Sequence, residues 1–162
     1  YSRLAGKIYR CPMPFGPYDS DQTVFAALKA ARLTAVVLLV ADVEARAKSG
    51  RDLRALYAGE GWQVIHLPVA DFATPQPGEF QQAIEHTVAL AAAGGNIAVH
   101  CNAGIGRTGL FLSALAARVL HLPAAQAIDW VRQYIPAAVE TEQQRLFLSE
   151  YLSPAFGRDR SQ

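Results

Sequence analysis

Cysteine is scarce in this chain, charge is close to balanced, and long apolar runs are missing. Only Cys11 and Cys101 occur in 162 residues, too few for a disulfide framework. A reducing cytoplasm is therefore the expected compartment, and there Cys101 stays a free thiol. The formal net charge is +1, and Lys and Arg never gather into a run of about five or six. This leaves no bulk electrostatic case for a nucleic acid or a membrane surface as partner. No stretch reaches about 18 uninterrupted apolar residues, so a membrane span is not expected; Ala35–Ala41 is apolar but far too short. The opening Tyr1-Ser-Arg-Leu-Ala-Gly6 lacks the apolar core of a secretory signal. Internal repeats and low-complexity linkers are absent too. The chain starts at Tyr1 rather than Met, as a trimmed protein or a piece of a longer one would.

What is present reads as one ordinary globular domain, 51% hydrophobic and 18% charged, of a length that buries most of its apolar surface. The expected domain runs over 1–153, with 154–162 as a frayed tail. Short and long apolar segments alternate. Strands are expected at Lys7–Arg10, Ala35–Val40, Trp62–Leu67 and Asn96–His100. Helices are expected at Gln22–Arg32, capped by Ser20 or Asp21, and at Glu44–Ala58, with an interruption at Gly50. A third carries Phe80, Ile84, Val88 and Ala91 on one face and stops at Gly94-Gly95. Others follow over Arg107–Leu120, after Pro123, and from Thr141. The first of these three is apolar all round and so central. This order predicts an α/β fold: a largely parallel sheet of four to five strands flanked by helices.

The chemistry concentrates in His100-Cys-Asn-Ala-Gly-Ile-Gly-Arg-Thr-Gly109, between a buried strand and a buried helix. A loop that ends in a helix N-terminus presents N–H groups without internal partners, and with the helix dipole these attract an anion. Gly104 and Gly106 allow positive φ, so that the amides of Asn102, Ala103, Gly104, Ile105 and Gly106 can form a nest. Arg107 adds a planar, permanent cation that can grip two phosphate oxygens. Cys101 lies at the base, where a positive field favours the nucleophilic thiolate. The plain alternative is a buried Cys and a Gly-rich turn. A Walker-type loop fits less well, since it wants Lys before Ser/Thr and here Arg107 precedes Thr108.

This segment resembles the signature loop of the cysteine-dependent protein tyrosine phosphatases, His-Cys-x5-Arg-Ser/Thr-Gly. The short chain and the stretch Val131–Gln144 resemble the compact dual-specificity branch, and the similarity covers about residues 7–152. Where that branch often has Arg-Pro-Gly before an Ala-Val-Glu-Thr-like run, this chain has Ile135-Pro136-Ala137, so whatever that Arg holds must be held differently.

The resemblance implies roles. Cys101 is the nucleophile, and Asp71, in the loop Asp71–Gly78, is the proton donor and later the base. Asp42 is a rival acid that reads better as a helix N-cap. Thr108 is expected to hydrogen-bond the Cys101 sulfur, and His100 to brace the loop. Gln144 either orients the hydrolytic water or completes a Thr141-x-x-Gln144 capping box. Phe72 forms a pocket wall or packs inward. Cys11 is expected to be structural; sequence leaves a disulfide with Cys101 open. The reaction is double displacement with no cofactor and no metal, the charge being met by the loop and Arg107. Three functions stand side by side. One is a phosphatase for phosphotyrosine, with phosphoserine and phosphothreonine. Another is a phosphatase for inositol phosphates or phosphoinositides, disfavoured by the lack of Lys in Asn102–Gly106. The last is a non-catalytic phosphate-binding module. Partners are thus a phosphorylated protein or small phosphoester; oligomeric state is not legible.

Overall fold

In a computed structural model that describes residues 4–153, four strands lie side by side in one parallel sheet. They are β1 (Ile8–Cys11), β2 (Ala35–Leu38), β3 (Gln63–His66) and β4 (Ile97–His100), in the order β1-β4-β2-β3. The sheet is the expected one, with all three pairings parallel. The expected fraying of 154–162 falls outside the described residues. Every residue of β2 and β4 is buried, which explains why β2 reads as a continuous apolar run.

The sheet places the site. β4 lies between β1 and β2, with Cys11, His100 and Leu38 in register at the strand ends. Strand order reverses here, and in open α/β sheets ligands bind outside the carboxyl ends of strands at such a point. Cys101 is the next residue of the chain.

Among the described residues, seven helices flank the sheet: α1 (Val24–Ala30), α2 (Asp42–Ser49), α3 (Leu53–Gly59), α4 (Pro77–Ala92), α5 (Gly106–Leu120), α6 (Ala124–Arg132) and α7 (Glu142–Tyr151). α5 is buried at nearly every position, as its all-round apolar sequence requires. No single helix among the described residues is long and apolar enough to cross a membrane.

The interruption expected at Gly50 divides the Glu44–Ala58 segment into two helices, and two other local readings need correction. Gly50 ends α2 at φ 69°, and the Asp52 carboxylate restarts the chain by accepting the Ala55 amide at 3.1 Å. α1 is capped by neither Ser20 nor Asp21. The buried Asp19 accepts the amides of Thr23 and Val24 at 3.0 and 3.2 Å, because its other oxygen is drawn inward by Phe15 N–H at 2.8 Å. Asp42 is not an N-cap: Ala41 holds that position, and Asp42 pairs with Arg54 at 3.1 Å. Ile135, where the resembling branch carries Arg, is buried in the core.

Candidate active site

β4 ends at His100, and α5 begins at Gly106 without any side-chain cap. Among the described residues, no amide from Asn102 to Arg107 donates to a backbone carbonyl. The loop is held instead through its carbonyls: Asn102 O accepts Met13 N–H at 2.8 Å, and Ile105 O accepts Gly109 N–H at 2.7 Å. Uncapped amides at a helix start are an anion site in waiting.

The glycines work differently from the expected pair of positive φ angles. Only Gly104 is left-handed, at φ 74°, and a Cβ there would strike the Cys11 carbonyl. Gly106 is the first helical residue, and its missing side chain makes room for the Glu140 carboxylate. Gly109 lets α5 approach Ala138, whose Cβ lies 2.6 Å from where a Cβ at 109 would sit.

A small cavity of about 80 Å³ opens over the loop. Its floor is Cys101, Asn102, Ala103, Gly106 and Arg107; its rim is Tyr18, Asp71, Phe72 and Glu140. Gly104 faces β1 rather than the cavity, and Ile105 packs against the core. Phe72 is therefore a wall and not an inward-packed residue. It is more than half exposed, at φ 59°, a conformation uncommon outside glycine.

Arg107 is buried and doubly held. Nη1 and Nη2 donate to the two Glu44 oxygens at 2.8 and 2.9 Å, and Nη1 also donates to Val69 O at 2.9 Å. Nη2 lies 3.3 Å from Asp71 Oδ1. Burial works against its charge, but Glu44, Cys101 and Asp71 outweigh it and raise the Arg107 pKa. Glu44 is held below the usual carboxylate range mainly by its bond to Arg107, burial opposing. Sequence reasoning missed Glu44, which reads there as one acid among the alternating charges of α2.

His100 is fully buried and bridges two partners. Nδ1 lies 2.9 Å from Cys101 O and Nε2 2.7 Å from the Tyr57 hydroxyl. A carbonyl only accepts, so Nδ1 carries the proton and Tyr57 donates to Nε2. Burial pushes the His100 pKa down to about 4, against the bond to Cys101 O, and the ring is neutral. These two contacts tie the first residue of the loop to α3. Tyr57 was not singled out from sequence.

Two expectations meet a different geometry. Thr108 is fully buried, but its Oγ1 has no hydrogen-bond partner, so the expected bond to the Cys101 sulfur is not formed here. Gln144 has both side-chain atoms occupied: Oε1 accepts Glu140 N–H at 2.9 Å, and Nε2 donates to Ala73 O at 3.3 Å. Only half of the capping box exists, Thr141 Oγ1 accepting Gln144 N–H at 3.1 Å. Gln144 thus ties α7 to the loop that carries Asp71, and it does not line the cavity. Cys11 shares the sheet face of His100, its register partner, whereas the next residue, Cys101, leaves the strand toward the cavity. Burial above all lifts the Cys11 thiol to about 12, as suits a structural cysteine.

Residues 16–121, well over half of the chain, match the family model described as polymorphic toxin system, DSP-PTPase phosphatase (Tc-R-P). The chain belongs to this DSP-PTPase phosphatase family. It belongs to the cysteine-dependent protein tyrosine phosphatase superfamily. The DSP-PTPase domain is similar to protein tyrosine phosphatase domain-containing protein 1 of zebrafish (Danio rerio), with 40% identity over 57 residues. That match covers 35% of this chain and 8% of the zebrafish protein. A crystal structure of Tk-PTP in a mutant form is 28% identical, covering 90% of this chain and 89% of that one, with a TM-score of 0.74. PTPMT1 in complex with PI(5)P shares the fold, at 16% identity over 94% of each chain and a TM-score of 0.70.

Proposed function

We infer that this DSP-PTPase hydrolyses phosphotyrosine, with phosphoserine and phosphothreonine as further substrates, through a phosphocysteine on Cys101. The observation that carries the reading is the stack at the end of β4. Cys101 lies beneath amides at the start of α5 that no backbone carbonyl takes, beside an Arg107 fixed by Glu44, with Asp71 3.3 Å from that guanidinium.

In the first step the Cys101 thiolate attacks phosphorus. The S–P bond forms as the P–O bond to the leaving group breaks, and Asp71 gives its proton to the departing oxygen. The amides of Asn102–Gly106 and the guanidinium of Arg107 meet the charge on the equatorial oxygens. In the second step water attacks phosphorus, Asp71 takes its proton, and the sulfur leaves as thiolate. Thr108 Oγ1, buried without a partner, is the hydroxyl available to that departing sulfur, and such a bond would offset the roughly 1–3 kcal/mol cost of an unmade one.

The rim supports the aryl substrate. Tyr18 and Phe72 are both exposed large aromatics, 61% and 57%, at the mouth of a cavity of about 80 Å³. Typical small-molecule sites are larger, roughly 300–1,000 Å³. The cavity therefore suits a phosphoryl group whose carrier stays outside, with a tyrosine ring between the two aromatics. A phosphoinositide is the second reading, favoured by the fold shared with the PI(5)P-bound PTPMT1; Asn102–Gly106 offers it no lysine. A reducing compartment would keep both thiols free. The test is hydrolysis of an aryl phosphate, phosphopeptides and inositol phosphates with chelator present. Phosphotyrosine peptides are expected to lead the panel, and activity that survives in Cys101→Ser would overturn the covalent route.

A further inference from the structure

Glu140 has no part in those steps, yet several contacts fix where it lies. Val139 before it sits at φ 58°, which a β-branched residue adopts only where its surroundings impose it. Arg132 of α6 donates to Ala138 O at 3.1 Å and to Val139 O at 3.4 Å. Gln144 Oε1 accepts the Glu140 amide at 2.9 Å. The outcome is a carboxylate laid over the first turn of α5. Any Cβ on Gly106 would collide with it, and the Gly106 amide beside it favours its charged form. Across the cavity it faces Asp71 of the β3–α4 loop and Arg107 of α5, with Cys101 on the floor and Tyr18 of the β1–α1 loop on the rim. Burial first, and Asp71 second, raise its pKa, against Arg107 and the Gly106 amide.

The Gly106 amide belongs to the group that the functional reading gives to the phosphoryl oxygens. One N–H cannot serve two anions well, and a carboxylate beside a phosphoryl dianion repels it. We propose that Glu140 is a built-in competitor for the oxyanion cradle, a carboxylate that lies against the Gly106 amide until an incoming phosphoryl group displaces it. The inference rests on the reading of this loop as the phosphate site. Such a competitor weakens every oxyanion alike, so it selects for substrates whose carrier adds binding of its own at the rim. It also helps to expel inorganic phosphate, the product, which has no carrier.

Sulfate binding separates the possibilities, because sulfate stays a dianion and is not turned over. Calorimetry would compare Cys101→Ser with the double variants Cys101→Ser/Glu140→Gln and Cys101→Ser/Glu140→Ala. Removal of the competing negative charge should tighten sulfate by about tenfold in both. The loss of affinity with rising pH should also be smaller in both than in Cys101→Ser. The two replacements differ in shape, so agreement between them excludes folding damage as the cause. Equal or weaker sulfate binding in both double variants would overturn the competitor role. Absence of sulfate binding in all three folded proteins would overturn the phosphate-site reading beneath it.

Discussion

Glu44 and Arg107, 63 residues apart, form a two-point ion pair whose contacts measure 2.8 and 2.9 Å. The carboxylate fixes the plane of the guanidinium, and so the direction in which its other edge meets a substrate. Glu44→Gln should keep the shape and lose half of the hold. The expected result is a 10- to 100-fold drop in kcat/KM, on the scale of a roughly 1 Å misplacement of a catalytic group. Steady-state kinetics with an aryl phosphate checks it. Because the folded Glu44 pKa lies below the ordinary 4.5, its stabilising contribution is present above that pH. It is lost as the pH falls through the folded value, and acid titration of the Gln variant should lack that component.

His100 should give the protein a stability slope on the acid side of neutrality. The folded ring titrates at about 4 and the ordinary one at 6.5. The unfolded chain therefore takes up its proton first. Stability is full above 6.5 and declines as the pH falls toward about 4, by about 1.4 kcal/mol per pH unit from this group. Urea melts across that window should show the slope, and His100→Gln should flatten it. Tyr57→Phe leaves Nε2 without its donor and should cost about 1–3 kcal/mol.

Removal of the proton donor should depend on the leaving group. With Asp71→Asn, the kcat for an alkyl phosphate is expected to fall about 10²- to 10⁴-fold. An activated aryl phosphate, whose phenoxide leaves without a proton, should lose much less. A leaving-group series in both proteins measures the difference; equal losses across the series would remove Asp71 from this role.

Gln144→Ala should act on structure before chemistry. Its two side-chain bonds tie Glu140 to Ala73, next but one to Asp71. Their loss should cost about 1–3 kcal/mol, and burst rate and steady-state rate should fall together as the Asp71 loop loosens. A normal burst followed by slow turnover would restore the water-orienting role.

Much of this was legible in the residues. The continuous Val-rich run of β2, the all-apolar α5 and the alternation of strands with helices pointed to a parallel sheet flanked by helices. The spacing from Cys101 to Arg107 located the loop at a strand end. What escaped depended on partners distant in the chain. Glu44 looks like any helix acid until α2 is laid against Arg107. Tyr57 looks like a core aromatic until its hydroxyl finds His100. The need for Gly106 and Gly109 comes from Glu140 and Ala138, which local φ preferences do not reveal. Asp19 outcompeted Ser20 and Asp21 as a cap because the Phe15 amide draws it inward, a tertiary effect.

Rapid-quench mass spectrometry after mixing with an aryl phosphate tests the central claim most directly. One phosphoryl group should appear on the peptide that contains Cys101 within the first turnover and be absent from Cys101→Ser. Turnover with no adduct at that sulfur, or with an adduct on another residue, would contradict it.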